Sequence, residues 1–434
     1  MKNPFGTIPD GWRLLELQDV FNFQNGKAFY MSGYSDNGYK VIDLMNISSK
    51  GRFQELQNKQ KYVSEEVYNQ NPNFHLEKND LIMAMSDMSK ILWILGRTAI
   101  IPRDGEFILN QRVGRLTPKT KDIDIKYGHL ITNSSYFLKQ LHDQVKGTAQ
   151  FYVNTGDIKE SLLLIPPLPE QQKMAAILSS VDDVIEKTEA IIEQAEVIKK
   201  GLIQQLFIKG IGHTKFSKTE IGEIPEEWKL GTLKDYSEHI TKGATPTTYG
   251  FDWVEEGVLF LRNECVKETG LSLKGSSFIS EEAHVAMKRS IINLGDILIT
   301  ITGNLGQCCI YDKGPQEANI NQHIARIRII DKNVHPKFVC YFLNSDFMRK
   351  KYELIKTGLA YPQLSLKQIQ DIVIPIPSIE EQQKIVNILS GLEKKIKVEQ
   401  LSLTQLRNLK RGLMQSLLTG KVRVKVDETE VTQV

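Results

Sequence analysis

Glu170-Gln171-Gln172-Lys173 opens a stretch that runs to Phe207 with no proline and, as far as Gly201, no glycine; the same four residues return as Glu381-Gln382-Gln383-Lys384. Read at intervals of seven, the first stretch carries Met174, Val181, Thr188, Ala195 and Leu202, with Leu178, Ile185, Ile192 and Leu206 in a second row that Lys199 interrupts. The second stretch carries Ile385, Leu392, Leu406 and Leu413, alongside Leu389, Ile396, Leu403 and Leu417. Apolar residues every seven positions over several repeats make a coiled-coil seam. Each stretch of roughly 38 residues predicts a helix about 57 Å long, at about 1.5 Å per residue.

The duplication extends outward. Phe5-Gly6-Thr7-Ile8-Pro9-Asp10-Gly11-Trp12 recurs as Ile221-Gly222-Glu223-Ile224-Pro225-Glu226-Glu227-Trp228. Asn79-Asp80-Leu81-Ile82-Met83 answers to Gly295-Asp296-Ile297-Leu298-Ile299, and Leu109-Asn110-Gln111-Arg112-Val113-Gly114-Arg115-Leu116 to Ile320-Asn321-Gln322-His323-Ile324-Ala325-Arg326-Ile327. Order is kept while the offset drifts slightly, as differing loop lengths produce; chance similarity does not do this.

Each half is therefore a globular block followed by a helix. Short β-rich runs (80–84, 295–302, 324–330) mix with helical stretches (127–145, 336–355), so the blocks read as α+β. A proline-punctuated strand closes each block, at 162–169 and 372–377. The expected division is a block over 1–165, a helix over 166–210, a block over 211–376, a helix over 377–425 and a polar tail, expected to be disordered, over 426–434.

Residues 170–210 carry seven acidic side chains against five lysines, whereas 380–425 carry ten basic side chains against four glutamates. Opposite charge beside two apolar seams favours pairing of the two helices with each other. The order of block and helix along the chain makes that pairing antiparallel. The expected contact residues are Met174, Leu178, Val181, Ile185, Ile192 and Leu202 on one side, with Ile385, Leu389, Leu392, Ile396, Leu403, Leu406 and Leu413 on the other. The alternative is that each helix packs on its own block. A wider apolar stripe on the first helix (Ile177, Val184, Ile191, Ile198) fits either that packing or a further partner.

Composition narrows the function by exclusion. A chain of 434 residues calls for two or more domains. No apolar run reaches the roughly 18 residues of a membrane span, and the first residues lack the apolar core of a signal peptide. Cys265, Cys308, Cys309 and Cys340 form no C-x-x-C pair and read as reduced thiols of a cytoplasmic protein. A net charge of +3 permits a nucleic-acid partner without announcing one.

No catalytic constellation emerges. No G-x-x-x-x-G-K-[ST] phosphate loop and no H-x-E…C-x-x-C zinc pattern is present, and no metal site is expected. Asn71-Pro72-Asn73-Phe74 approaches the [DN]-P-P-[YF] loop of adenine methyltransferases, but its third residue is Asn and no glycine-rich cofactor loop precedes it. A polar turn explains it. Glu65-Glu66 and Glu281-Glu282 read as charges at helix starts. Arginine suits guanine edges in the major groove and amides suit adenine. Candidate DNA contacts in polar or turn-rich segments are Lys27, Tyr30, Lys90 and Arg97 in the first block, and Lys242, Thr247, Tyr249, Arg262 and Arg289 in the second.

Block, helix, block, helix, with I-P-x-x-W (Ile8, Pro9, Trp12; Ile224, Pro225, Trp228) opening each block and E-Q-Q-K opening each helix, resembles the specificity subunits of type I restriction–modification enzymes over nearly the whole chain. Asp80-Leu81-Ile82, Asp296-Ile297-Leu298, Asn110-Gln111, Asn321-Gln322, the run from Pro166 to Lys173 and Ile374-Pro375-Ile376-Pro377 all contribute. The resemblance implies two target-recognition domains, each reading half of a split double-stranded DNA site. It also implies that paired helices fix the gap and dock two methyltransferase subunits. Those partners would bind S-adenosylmethionine and methylate adenine, this chain would hold no cofactor, and motor–nuclease subunits would join for restriction. Two other classes compete: a coiled-coil adaptor with no DNA role, which gives no reason for two decorated copies, and a self-sufficient DNA adenine methyltransferase, which needs the missing cofactor loop.

Overall fold

The computed structural model describes residues 7–30, 33–358 and 360–426; all of the expected tail beyond Val426 lies outside them. Two compact units emerge, one from the chain start to Thr188 joined by Ser402 onward, the other Glu189–Leu401. Both boundaries fall inside the long helices, so each unit owns one block, the first half of one helix and the second half of the other.

Within the first unit, Arg13–Glu16 pairs antiparallel with Leu162–Ile165 and ties the start of the block to its end. A four-stranded antiparallel sheet follows in the order Phe21–Asn25, Val113–Pro118, Leu81–Ala84, Thr98–Ile100. A mixed sheet has the order Tyr34–Ser35, Lys61–Val63, Tyr39–Ile42, Phe107–Leu109, His75–Leu76, with Phe107–Leu109 parallel to Tyr39–Ile42. Leu81–Ala84 is buried at every position, as an unbroken apolar run between two packed layers requires.

The second unit repeats this plan. Lys229–Thr232 pairs with Val373–Ile376. The antiparallel sheet runs Thr241–Lys242, Ile324–Ile327, Ile297–Thr300, Cys308–Ile310. The mixed sheet runs Ser277–Ile279, Val258–Leu261, Glu317–Ile320, Ile291–Asn293, again with one parallel pair. The sequence repeat is a repeat of topology. All four cysteines are free and buried in this unit.

One expectation needs correcting in both halves. The helix expected over 127–145 is two, Ile125–Thr132 and Ser135–His142; that over 336–355 is also two, Pro336–Leu343 and Asp346–Ile355. Asn-Ser makes each break. Ser134 Oγ accepts from Phe137 N and Ser345 Oγ from Met348 N, capping the second helix in each case. Asn133 donates to Thr98 O and accepts from Thr98 N; Asn344 does the same with Cys308. Each asparagine thus completes the open edge of a strand, and helical periodicity does not register that demand. The paired glutamates do sit at helix starts, behind the caps Ser64 and Ser280.

The long helices span Leu168–Lys209 and Ile379–Leu417, 42 and 39 residues. They run antiparallel within each unit. In the first, Glu170 meets Arg423 and, farther along, Asp182 meets Lys410 at 2.7 Å. In the second, Lys199 meets Glu393 at 2.7 Å, and Ile211 N donates to Glu381 at 2.8 Å. Lys199 interrupts one apolar row and Lys410 stands in the gap of another. These two seam breaks are therefore ion-pair sites, and a polar group in an apolar seam fixes register. Met174, Leu178, Ile185 and Leu403 are buried in the first unit; Ile385, Leu389 and Ile396 are buried in the second. Val181, Leu406 and Leu413 are half-buried, as are Ile192, Leu202 and Leu392. Met174 and Leu178 share one core with Leu17, Tyr127 and Leu163 of the block and with Leu417 of the other helix. Each helix start therefore packs on its block and on its partner helix at once.

The motif residues form a lock at that junction. Trp12 Nε1 donates to Glu170 Oε2 at 3.2 Å, and Trp228 Nε1 to Glu381 Oε2 at 3.1 Å. Gln171 donates to Asp122 O and Pro166 O and accepts from Asp124 N; Gln382 donates to Asn333 O and Pro377 O and accepts from His335 N. I-P-x-x-W and E-Q-Q recur together because they bond to each other.

Candidate nucleic-acid interface

At one end of each block, the turns linking the strands gather. In the first block Gly26 N donates to Val113 O, Gln111 N to Lys27 O, Met85 N to Arg112 O and Val153 N to Met85 O. Four segments are thereby brought together: 25–30, 85–96, 110–112 and the hairpin 146–152. In the second block the equivalent bonds are Gly243 N to Ile324 O, Ile301 N to His323 O and Leu364 N to Ile301 O. The turns need glycine at their closest approach: a Cβ on Gly26 would lie 1.9 Å from Asn110 O, and one on Gly243 1.7 Å from Ile320 O. The hairpins, Lys146 to Tyr152 and Thr357 to Gln363, are a further structural repeat, closed by two backbone bonds each.

Onto this shared frame the two blocks place different side chains. The first carries a long loop, held by Asp87, whose carboxylate accepts from Ser89 N at 2.8 Å and Ile94 N at 2.7 Å. Its outer side exposes Met88, Ile91 and Trp93 beside Lys90. The second has the short turn 302–306 there, and instead the 3-10 helix Pro246–Tyr249. Exposed aromatic and basic groups on a rigid frame are suited to meeting bases and phosphates.

Seven of the nine candidates lie on or next to these turns. Lys27 is exposed and its ammonium reaches Asn71 Oδ1 at 2.5 Å; Tyr30 is 81% exposed; Lys90 is on the loop. Lys242, Thr247 and Tyr249 are exposed, and Arg262 lies over the Trp253 ring at 4.9 Å. Arg97 turns inward, donating to Asn133 O at 3.4 Å, and burial lowers its pKa. Arg289 is exposed beside Thr241, whose hydroxyl donates to its carbonyl. Asn71-Pro72-Asn73-Phe74 is a 3-10 turn whose polar atoms are used within the fold: Asn71 bonds Lys27 and Val67 O, and Asn73 O accepts from Gln24 and Arg115. Gln111 and Arg112 were not among the candidates although the repeat includes them, because a motif shared between halves reads as scaffold.

Comparison with known proteins agrees with this architecture. The family model described as type I restriction modification DNA specificity domain matches twice, at residues 9–197 and 225–408. The chain is 28% identical to a putative type I restriction enzyme MjaX specificity subunit of Methanocaldococcus jannaschii, over 98% of this chain and 96% of that one. It is 25% identical to the EcoBI specificity subunit of Escherichia coli, over 89% and 80%. The crystal structure of an S subunit from M. genitalium shares the fold, with a TM-score of 0.57 at 17% identity over 96% of this chain and 98% of that one. The two matched segments each take in one block and most of one long helix, and together they cover most of the sequence: this chain belongs to the type I restriction–modification DNA specificity family.

Proposed function

We propose that this chain reads a split DNA target, one half with each block, as the specificity subunit of a type I restriction–modification complex. The observation that carries the reading is the doubled frame with unlike decoration: the same strands, glycine turns and Trp–Glu–Gln lock in both halves, with different side chains on the turns. A common frame bearing different readers is what a two-part, non-palindromic site demands. Chemistry then belongs to partners. Two methyltransferase subunits, carrying S-adenosylmethionine and methylating adenine, dock on the long helices, and motor–nuclease subunits join for restriction. Val184, Ile191 and Ile198, seven residues apart on the first helix and 46%, 42% and 47% exposed, support a docked partner there. The complex acts on DNA in the cytoplasm; no described helix is long and apolar enough to cross a membrane. Mapping methylated adenines in cells with and without the chain tests this. The expected result is a bipartite motif that appears only with the chain, and one half of it should change when residues 222–370 are exchanged for those of a relative. A motif that is independent of the chain, or both halves changing together, refutes it.

A further inference from the structure

The turn Asn110–Arg112 crosses from the mixed sheet to the antiparallel sheet at the turn-bearing end of the first block. Asn110 shapes it, its Oδ1 accepting from Gln111 N at 2.9 Å. Arg112 adopts φ 71°, a left-handed conformation that is strained for a non-glycine residue. Both Gln111 and Arg112 are exposed, and neither side chain makes a hydrogen bond or ion pair among the described residues. They border an open cleft of about 290 Å³ shared with Phe29, Tyr34, Asp43 and Lys61.

The same turn in the second block is closed. Thr245 Oγ1 donates to Gln322 Oε1 at 2.7 Å, the Gln322 amide meets His323 Nε2 at 3.1 Å, and His323 Nδ1 meets Thr302 Oγ1 at 2.5 Å. His323, unlike Arg112, does not have a positive φ. A contact that only seats the frame on phosphates would be available in both copies. An amide free in one copy and bonded in the other, beside a free guanidinium where the other copy has a bonded imidazole, marks a difference between two readers.

We propose that Gln111 and Arg112 are sequence-reading residues of the first block, with Arg112 donating its paired N–H groups to the O6/N7 edge of a guanine in the first half-site. The strained backbone holds the guanidinium out of the fold, where five donors in a planar fork match that edge. The assignment rests on the proposed DNA-reading function and adds to it the residues and the base.

The test uses the full chain with its methyltransferase, comparing the native protein with Arg112→Gly and Gln111→Ala by methylome sequencing and thermal unfolding. For Arg112→Gly, one position of one half-motif becomes degenerate, preference there falls roughly tenfold, and the other half is unchanged. Its melting temperature stays level or rises, because glycine accepts φ 71° without strain. Gln111→Ala relaxes the same half-motif. An unchanged motif with uniformly weaker methylation and a shallower salt dependence overturns the assignment in favour of a phosphate contact. A lowered melting temperature with both halves lost overturns it in favour of a structural role. Absence of any bipartite motif with the native chain overturns the functional reading itself, before a variant is compared.

Discussion

Replacing Gln382 with leucine removes three hydrogen bonds and nothing else of comparable size. The side chain is fully buried, its amide donating to Asn333 O and Pro377 O at 2.9 Å each and its oxygen accepting from His335 N at 2.8 Å. Leucine fills a similar volume but leaves two carbonyls and one N–H without partners. At about 1–3 kcal/mol for each buried unsatisfied group, and taking the lower half because the loop around Asn333 can admit water, the cost is about 3–6 kcal/mol. Chemical denaturation of the full chain measures it. Gln383→Leu is the control: Gln383 is exposed and among the described residues its side chain bonds only Asn387, so it should change stability by under about 0.5 kcal/mol. Gln171→Leu should match Gln382→Leu, since Gln171 holds Asp122, Asp124 and Pro166 in the same way. A cost below about 1 kcal/mol for either glutamine would refute the claim that this residue fastens block to helix.

Two further expectations concern pH and spacing. His129, beside Thr98 and Asn133, has its pKa pushed from 6.5 to about 4, chiefly by burial. The unfolded chain therefore binds a proton that the native chain refuses, and stability is full above pH 6.5 and falls by about 3 kcal/mol towards pH 4. Denaturation midpoints across that range should flatten for His129→Gln relative to the native chain, and parallel curves would contradict the assignment. Inserting four residues in each long helix, near Glu189 and near Leu401, keeps Asp182–Lys410 and Lys199–Glu393 each within its own unit. It adds about 6 Å of helix, so the gap between half-sites should widen by one or two base pairs, at about 3.4 Å each. An unchanged gap in an active variant would mean that the helices do not set the spacing.

The rod and the doubling were legible because both are periodic: seams at seven-residue intervals and motifs repeated in order need no knowledge of tertiary contacts. Residues whose role is to bond distant backbone were harder to read. Asn133 and Asn344 look like mid-helix polar residues until Thr98 and Cys308 are seen across from them. Arg97 stands in a turn-rich segment and its type suits a base edge, yet its burial and its bond to Asn133 O turn it towards the helices. Gln111 and Arg112 belong to a repeated motif, and the repeat hides the difference between an open and a closed turn. The Lys146 and Thr357 hairpins share only glycine and alanine by identity, Gly147 with Gly358 and Ala149 with Ala360, too little to stand out without coordinates.

The lock explains how one rod can carry unlike readers. Gln171 and Gln382 bind only backbone atoms of the blocks, and a backbone carbonyl presents the same acceptor whatever side chain follows it. Trp12 and Trp228 are the side chains that both blocks supply to the lock, with His213 added at 3.0 Å from Glu381 in the second, and that tryptophan recurs where the surrounding turns diverge. A block with new turn residues can therefore be seated without adjusting the helix, provided that it keeps the tryptophan and the course of the loop before its helix pair. The glycine turns follow the same logic: Gly26 and Gly243 meet backbone oxygens, so the positions beyond them can vary without disturbing the sheets. Fastening is done by groups that are blind to sequence, which leaves the exposed turn residues free to differ from one half to the other.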